Sequence, residues 1–464
     1  MANLERVYLS LPIWLQNQVV ALQGWRIKRS RYNRTFYTKL KECEARRSWD
    51  SRSLRELRDL RLQAFVKHSE ESVPYYRSLF REMGISSNDI RKQEDLSCLP
   101  LLTRTTVQEH YSEFLSEAVP RDQRIMVHTS GTTGAGLHLA TTAEALAEQW
   151  AVWWSYRRSH GIELDTWCGY VDGRPIVATN QMKPPYWRCN RSGKQLLLSA
   201  YHMTPENIDD YLGEIRRRRI PWLHCFPSLL SLLASRTLDS GARLSYRPRW
   251  ITIGAENLLP QQSDLIQEAF GIRPLQHYGL VEGVANISEW PDGCLRVDED
   301  FSVVEFVPNP NGCGYKIIGT NLSNPAMPLL RYDTSDLAEV DLDQDELLPG
   351  GRIVKQIDGR QEDYLVLRSG ARLGRMDQVF KHMTSIREAQ LYQDEIGVIV
   401  VRIAKREGYS DEDEAILLRE FRKRVGEETE LIVEYHDALP RTESGKLRFV
   451  VSAIPKENID AVPH

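Results

Sequence analysis

The chain has 464 residues, 41% hydrophobic and 27% charged, which is typical of a globular protein large enough for two or more domains. No stretch approaches the roughly 20 apolar residues that cross a bilayer, and Gln16, Asn17 and Gln18 interrupt the apolar start. We therefore expect neither a membrane span nor a signal peptide. The formal charge of −4 includes a balance of +7 over residues 24–47, so the rest is acidic, which argues against a general nucleic-acid-binding protein.

The first 50 residues form an apolar and basic extension, in which the segment from Val7 to Leu22 leads into the cations of residues 24–47. We favour an extension that packs on or near the main domain and turns its basic face to solvent. The alternative is peripheral contact with an anionic membrane. The seven cysteines form no Cys-x-x-Cys pair, which favours a reducing cytoplasm. Contact of the N-terminal extension with an anionic membrane would place the protein at the inner face of that membrane.

The pattern of apolar residues predicts helices over 51–80 and 140–160, followed by an alternation of helices and strands. That alternation comprises a helix over 208–219, a strand over 220–226, a helix over 227–236 and a strand over 250–254. Strands that alternate with helices indicate an α/β domain with a largely parallel sheet.

The chain changes character after Lys355. Residues 358–363 are polar and typical of a turn, so we interpret them as a hinge between a large domain, 51–357, and a small domain, 364–464. Predicted strands over 396–404 and 430–435 and a helix over 410–425 would make the small domain a compact α+β unit.

Dense small and hydroxyl residues follow a predicted strand end at His128. They are Ser130, Gly131, Thr132, Thr133 and Gly134. Glycine permits positive φ and a close approach of backbone N–H groups to an anion, so this turn suits a phosphate. Taken alone, such a run is more often an ordinary solvated turn.

Four further segments suit a nucleotide. Gly254-Ala255-Glu256 ends a strand, where ligands of open α/β sheets bind. His277-Tyr278-Gly279-Leu280-Val281-Glu282 offers an aromatic ring for a base and a carboxylate for Mg²⁺. Asp336 can accept both hydroxyls of a ribose. Lys446 follows Ser444-Gly445 and can neutralise a phosphoryl or carboxylate oxygen.

These five segments, in this order, resemble the adenylate-forming superfamily of acyl-CoA synthetases, adenylation domains and luciferases. Other segments resemble its phenylacetate–CoA ligase branch and, within it, the CapK-like and coenzyme F390 synthetase-like subgroup. They are Val73-Pro74-Tyr75-Tyr76-Arg77, Phe226-Pro227-Ser228, Arg331-Tyr332-Asp333-Thr334 and residues 374–380. The resemblance implies a large N-terminal domain with mixed sheets and flanking helices, and a small mobile α+β C-terminal domain.

The resemblance also implies roles for individual residues. Ser130, Gly131, Thr132, Thr133 and Gly134 would hold the phosphates of ATP, with Thr132 and Thr133 in the catalytic set. Gly254, Ala255 and Glu256 would line the adenine pocket together with His277, Tyr278 and Gly279, and Tyr278 would stack on the base. Asp336 and Arg360 would hold the ribose, Glu282 would bind Mg²⁺, Glu362 would mark the hinge, and Lys446 would be the adenylation lysine. Trp153, Phe226 and Leu280 would line the acyl pocket, although core packing explains aromatic residues there equally well.

The implied activity is ATP-dependent activation of a small carboxylic acid to an acyl-adenylate, followed by transfer to coenzyme A or another acceptor, with surface-polysaccharide synthesis as the implied setting. Two alternatives stay open at this stage, namely AMP transfer to an acceptor and a non-catalytic nucleotide-binding protein. The chain departs from the family pattern at Ala135-Gly136, where a lysine is usual, at Val281, where threonine is usual, and at Ser335, where glycine is usual.

Overall fold

The structure is a computed structural model. It describes residues 7–128, 137–172, 176–178, 181–204, 206–240, 246–310, 314–342, 349–360, 365–367, 372–373, 379–380, 383, 385–426, 428–441 and 447–454. Some predicted site residues lie outside these ranges, namely Ser130, Gly131, Thr132, Thr133, Gly134, Glu362 and Lys446. Arg360 is described by its backbone.

The helices and strands are numbered in chain order. The α-helices are α1 Ile13–Arg31, α2 Arg34–Arg46, α3 Ser51–Ser72, α4 Pro74–Met83, α5 Arg104–Glu109, α6 Ala143–Ser159, α7 Ile208–Arg218, α8 Pro227–Asp239, α9 Pro260–Phe270 and α10 Asp411–Val425. The first ten strands are β1 Ile125–His128, β2 His138–Thr141, β3 Cys168–Asp172, β4 Trp187–Asn190, β5 Gln195–Ser199, β6 Trp222–Cys225, β7 Trp250–Ile253, β8 His277–Gly279, β9 Asn286–Glu289 and β10 Leu295–Val297. The others are β11 Ser302–Pro308, β12 Tyr315–Asn321, β13 Tyr332–Val340, β14 Ile353–Arg360, β15 Leu365–Val366, β16 Arg372–Leu373, β17 Ile386–Gln393, β18 Val398–Lys405, β19 Glu430–Tyr435 and β20 Val450–Ser452.

The chain divides into two compact units, each built from separate segments. Unit 1 comprises Met1–Arg26, Asp165–Gln276 and Gly359–His464, and unit 2 comprises Ile27–Leu164 and His277–Asp358. The chain therefore passes repeatedly from one unit to the other.

Unit 1 contains a five-stranded sheet in the order β4-β5-β3-β6-β7. Strands β5, β3, β6 and β7 run parallel, and β4 pairs antiparallel at the edge. This confirms the predicted largely parallel sheet. Because β6 and β7 are parallel neighbours, their carboxyl ends lie at the same sheet edge, where Phe226 and Gly254 follow them.

The C-terminal part of unit 1 is a four-stranded sheet in the order β19-β18-β17-β20, packed against α10. Helix α10 begins where predicted, because Ser410 accepts a hydrogen bond from the Asp413 N–H and the Asp413 carboxylate accepts one from the Ser410 N–H. The buried side chains of Leu417 and Phe421 pack with Ile399 and Val401 of β18. The predicted α+β character of this part is confirmed.

Unit 2 is built on a seven-stranded sheet in the order β11-β12-β13-β14-β10-β9-β8, whose described pairings are antiparallel. Strands β1 and β2 form a separate antiparallel pair. Helix α6 lies within the predicted helix over 140–160, and the Thr142 hydroxyl caps it by accepting a hydrogen bond from the Ala145 N–H. The large sheet carries Tyr278 on β8 and Asp336 on β13.

The predicted turn at residues 358–363 is wrong in its first half, because β14 continues to Arg360. Asp, Gly and Arg favour a turn in isolation, but here the sheet supplies backbone partners that override that preference. Residues 361–364 lie outside the described part of the chain. The hinge role itself stays a prediction.

The apolar and basic N-terminal segment forms α1 and α2. Helix α1 buries Gln16, Val20 and Gly24, and the Arg188 guanidinium donates a hydrogen bond to Gln16 Oε1 at 2.5 Å. Side chains on another side of α1 are largely exposed, with exposed fractions of 65% for Trp14 and 52% for Leu22. Among the described residues, no helix combines the length and apolar content needed to cross a bilayer.

Candidate active site

The carboxylate of Glu256 is the centre of the candidate site in unit 1. It follows β7 after Ala255, whose φ of +68° is a left-handed conformation uncommon for residues other than glycine. The Ser228 N–H donates to Glu256 Oε2 at 3.1 Å, and the Ser228 hydroxyl donates to Oε1 at 3.0 Å. Burial raises the pKa of Glu256, while Arg441 and the hydrogen bonds to Ser228 and Leu447 act in the opposite direction. The strand end is thus tied to the start of α8.

The C-terminal segment of unit 1 reaches the same carboxylate. The backbone N–H of Leu447 donates to Glu256 Oε1 at 2.7 Å, and the Arg441 guanidinium donates to the Ser228 hydroxyl oxygen at 2.6 Å. Arg441 also donates to the carboxylate of Glu388. Glu256, which follows β7, and its partner Ser228 therefore meet Leu447 and Arg441, the residues that flank 442–446, within unit 1. The sequence predicted both Gly254–Glu256 and Lys446 as parts of one nucleotide site.

In unit 2 the structure brings Tyr278 and Asp336 together. The Tyr278 hydroxyl donates to Asp336 Oδ2 at 2.7 Å, and burial together with the charge of Asp336 raises the pKa of Tyr278. One oxygen of Asp336 is therefore already an acceptor for a protein group. The predicted base-stacking ring and the predicted ribose carboxylate form one hydrogen-bonded pair.

Asn286 is a residue that sequence reasoning missed, and it fixes the protonation of His277. The Trp153 indole N–H, which can only donate, lies 2.9 Å from Asn286 Oδ1, and His277 Nε2 lies 3.0 Å from the same oxygen. The Asn286 amide nitrogen donates to Asp298 at 2.6 Å, which fixes the orientation of the amide. His277 Nε2 must therefore carry the proton. Burial, with the charge of Arg157, lowers the pKa of His277 to about 3, so the ring is neutral and Nδ1 carries the lone pair.

The residues predicted for the acyl pocket have separate surroundings in the two units. Phe226 is buried after β6 in unit 1. In unit 2, Trp153 bonds to Asn286, and the Leu280 carbonyl accepts a hydrogen bond from the Gln149 amide at 2.7 Å. A common acyl pocket stays a prediction.

Glu282 is half-buried, and its backbone carbonyl accepts a hydrogen bond from the Asn321 amide at 3.3 Å. Within the described ranges, no group of three or more metal-binding side chains occurs. A single carboxylate is compatible with Mg²⁺ in a nucleotide site, because the substrate phosphates and waters complete the coordination there.

An irregularity within strand β13, where its register with β12 shifts, orients Asp336. The Asp333 carboxylate accepts a hydrogen bond from the Ser335 N–H at 2.8 Å, and the Thr334 hydroxyl accepts one from the Asp336 N–H at 3.1 Å. Ser335 has a φ of +62°, in the left-handed region. This conformation explains physically why glycine would suit the position.

We expect Ser335→Gly to raise the free energy of unfolding by about 0.5–1 kcal/mol, because glycine removes a left-handed penalty larger than its own loss of backbone entropy. Urea denaturation measures the change. Ser302→Gly, within strand β11, is the matched control and should lower stability by a similar amount. A Ser335→Gly protein less stable than the parent would contradict the prediction.

Residues 367–453 match the family model "CapK C-terminal domain". Protein CapK of Staphylococcus aureus is 26% identical over 463 residues, which cover 97% of this chain and 100% of that protein. A phenylacetate-coenzyme A ligase of Thermus thermophilus is 28% identical over 452 residues, covering 86% of this chain and 96% of that protein.

A solved structure of similar fold is that of a 2-hydroxyisobutyryl-CoA ligase in the postadenylation state, in complex with R3-HIB-AMP. It matches with a TM-score of 0.69 and 16% identity, over 90% of this chain and 93% of that one. The fold and the comparisons together define an adenylate-forming ligase. Within that superfamily the chain is similar to protein CapK over nearly its whole length and, to a comparable degree, to the phenylacetate–CoA ligases.

Proposed function

We propose that this ligase activates a small carboxylic acid with ATP, releases pyrophosphate and transfers the acyl group from the acyl-adenylate to the thiol of coenzyme A. The observation that carries the proposal is the 2.7 Å hydrogen bond from Leu447 N–H to Glu256. It joins two predicted nucleotide-site segments that lie 191 residues apart in the sequence. The relatives named as coenzyme A ligases support the thiol acceptor.

The chemistry follows from charge. A carboxylate that attacks the α-phosphate of ATP brings two anions together, so cations and backbone dipoles must lower a repulsive barrier. In the proposal, Lys446 supplies a cation at the reacting oxygens, Glu282 holds Mg²⁺, and residues 130–134 hold the phosphates. When bound, Mg²⁺ would neutralise charge on the phosphates.

The remaining roles are proposed on the family pattern and on the contacts in each unit. Tyr278, positioned by Asp336, would lie against the adenine, with His277 and Gly279 beside it. Gly254 and Ala255 keep their predicted place in the nucleotide site. Asp336 would hold the ribose together with Arg360. Trp153, Phe226 and Leu280 would line the acyl pocket, and Glu362 would lie in the hinge.

A pyrophosphate-release screen with ATP, Mg²⁺ and panels of aryl, fatty, amino and sugar acids tests the activity. We expect release that depends on one class of acid, and an acyl-CoA thioester when coenzyme A is added. ATP binding by calorimetry without pyrophosphate release across the whole panel would refute the proposal. An AMP-labelled acceptor in mass spectra would refute the acyl-transfer step.

The metabolic setting is proposed on the CapK-like sequence alone. We place the acid, or the acceptor of its acyl group, in surface-polysaccharide synthesis. Acyl groups missing from the surface polysaccharide of a deletion strain would support this setting, and an unchanged polysaccharide would refute it.

We also propose that the exposed side of α1 contacts an anionic membrane. Trp14, Leu22 and Trp25 have exposed fractions of 65%, 52% and 49%, and the exposed Arg26 and Lys28 lie beside them. Aromatic and aliphatic side chains beside cations suit the boundary between headgroups and acyl chains of an anionic bilayer.

We expect the protein to co-sediment with vesicles that contain phosphatidylserine and to remain in solution with neutral vesicles. The double substitution Trp14→Ser, Leu22→Ser should weaken vesicle binding at least tenfold, because it removes most of the apolar area available for insertion. Leu60→Ser is a matched control, since Leu60 is 65% exposed on α3. Equal binding to both kinds of vesicle, or none, would refute the contact.

A further inference from the structure

Both neighbours of residues 442–446 are held in unit 1. Arg441 and Leu447 pair with each other as an isolated antiparallel bridge. Arg441 donates to Ser228 and to Glu388, and the Glu388 carboxylate also accepts a hydrogen bond from the Leu439 N–H at 3.2 Å. Leu447 donates to Glu256. Arg441 and Leu447, the described residues on either side of 442–446, are therefore both fixed by contacts within unit 1.

The Glu256 carboxylate accepts three hydrogen bonds from protein donors. It accepts one hydrogen bond on Oε2, from the Ser228 N–H, and two on Oε1, from the Ser228 hydroxyl and the Leu447 N–H. A buried carboxylate is stable only when such donors satisfy it. The donor from Leu447 is the one that belongs to the C-terminal segment, so the carboxylate and that segment stabilise each other.

We propose that Glu256 is a positioning residue that sets Lys446 for the adenylation step by binding the backbone of the next residue, Leu447. This proposal rests on the proposed function. It differs from the expectation that the whole Gly254–Glu256 segment contacts adenine, because the carboxylate binds Ser228 and Leu447. Gly254 and Ala255 keep the strand-end position suited to the nucleotide.

The proposal predicts different effects on the two half-reactions, which are adenylation of the acid and acyl transfer to coenzyme A. Adenylation requires Lys446 at the reacting oxygens, so it depends on the hydrogen bond between Leu447 and Glu256. Acyl transfer from a preformed adenylate does not need the lysine in that position, because the reacting α-phosphate bond has by then been formed and the lysine acts in the first half-reaction. Loss of the Glu256 carboxylate should therefore impair the first half-reaction selectively.

Glu256→Gln is the sharpest substitution. Glutamine has nearly the same size, but its amide group has one oxygen, so its NH₂ would face an N–H donor of Ser228 or Leu447. We expect pyrophosphate release to slow by about 10- to 100-fold, because a displacement of about 1 Å at a reacting group has an effect of this size. Thioester formation from supplied acyl-adenylate and coenzyme A should change by less than about twofold, because the displaced lysine is not at the reacting group in that step. Ser228→Ala, a milder change that removes one donor to the carboxylate, should show a weaker form of the same pattern.

Glu214→Gln is the matched control. Glu214 is a buried carboxylate of unit 1 that Arg217 and Arg218 bind, and it lies on α7. We expect both half-reactions of this variant to equal those of the parent. Equal losses of both half-reactions in Glu256→Gln would overturn the positioning role. A raised KM for ATP with unchanged kcat would instead mark Glu256 as a nucleotide contact and would also overturn it.

Hydrogen exchange of the Leu447 amide provides a readout that does not depend on activity. Exchange followed by mass spectrometry should be faster in Glu256→Gln than in the parent, because the amide loses its acceptor, and unchanged in Glu214→Gln. If the parent releases no pyrophosphate with any acid, the proposed function fails, while this measurement still tests the contact. Unchanged protection of Leu447 in Glu256→Gln would refute the inference.

Discussion

Replacing Lys446 with alanine is expected to slow acyl-adenylate formation by about 10²- to 10³-fold, the effect of removing one preorganised group that stabilises charge in a transition state. The ammonium group would otherwise offset the repulsion between the substrate carboxylate and the α-phosphate. Arg441 and Leu447, which flank residues 442–446 in the sequence, bond to Ser228 and Glu256. Pyrophosphate release under saturating ATP and acid measures the effect.

Two controls sharpen this result. Lys67→Ala removes a lysine whose side chain is 67% exposed on α3, and it should leave the rate unchanged. Acyl transfer from supplied acyl-adenylate should persist in Lys446→Ala, because the lysine acts in the first half-reaction. Full pyrophosphate release by Lys446→Ala would show that another cation performs this role.

Glu299→Gln is expected to destabilise the fold by about 3–5 kcal/mol, the usual result of breaking a buried ion pair from one side. Glu299 is buried in unit 2, where Arg58 donates to it at 2.8 Å and Arg352 donates to its other oxygen at 2.5 Å. The variant leaves two guanidinium groups without their shared carboxylate. Urea denaturation at pH 7 measures the loss.

The same carboxylate predicts a pH dependence. Burial alone would raise the pKa of Glu299, but Arg352 and Arg58 outweigh it and lower the pKa from 4.5 to about 2. A carboxyl group with a lowered folded-state pKa stabilises the protein above its unfolded-state pKa, and this contribution disappears as the pH falls toward 2. The shift corresponds to about 3 kcal/mol. The stability difference between the parent and Glu299→Gln should therefore shrink between pH 4.5 and 2.

Glu117→Gln is the control for a surface pair. Glu117 is 60% exposed and bonds to Arg77, so its loss should change stability by less than about 1 kcal/mol at any pH. A stability difference between the parent and Glu299→Gln that stays constant down to pH 2 would show that Glu299 is not the titrating group.

The sequence predicts well those parts of the fold where short-range patterns and tertiary structure agree. The strand and helix alternation from Ile208 to Ile253 indicated the parallel sheet, and the predicted helix over 410–425 matches α10. The turn-like composition at Asp358–Arg360 misled, because the partners of β14 come from distant strands that local composition does not report.

The candidate site was predictable as a set of motifs, whereas its internal contacts were not. Tyr278 and Asp336 were assigned to the base and the ribose, but their hydrogen bond joins residues 58 positions apart. Asn286 shows one weak sequence signal, a polar residue within the apolar run from Val284 to Ile287. The Glu256 contact with Leu447 involves a backbone N–H, which no side-chain pattern can indicate.

Unit 1 is built from three separate stretches of the chain, which affects its folding during translation. Tyr8 and Gln16 bond to Ile176 and Arg188, which are translated 168 and 172 residues later. At roughly 5–20 residues per second, the ribosome delivers these partners about 10 to 30 s after the first helix emerges. During that interval the nascent helix carries unburied apolar side chains on both of its sides. Chains terminated before Arg188 should therefore depend on chaperones for solubility, and the full-length chain should assemble unit 1 late.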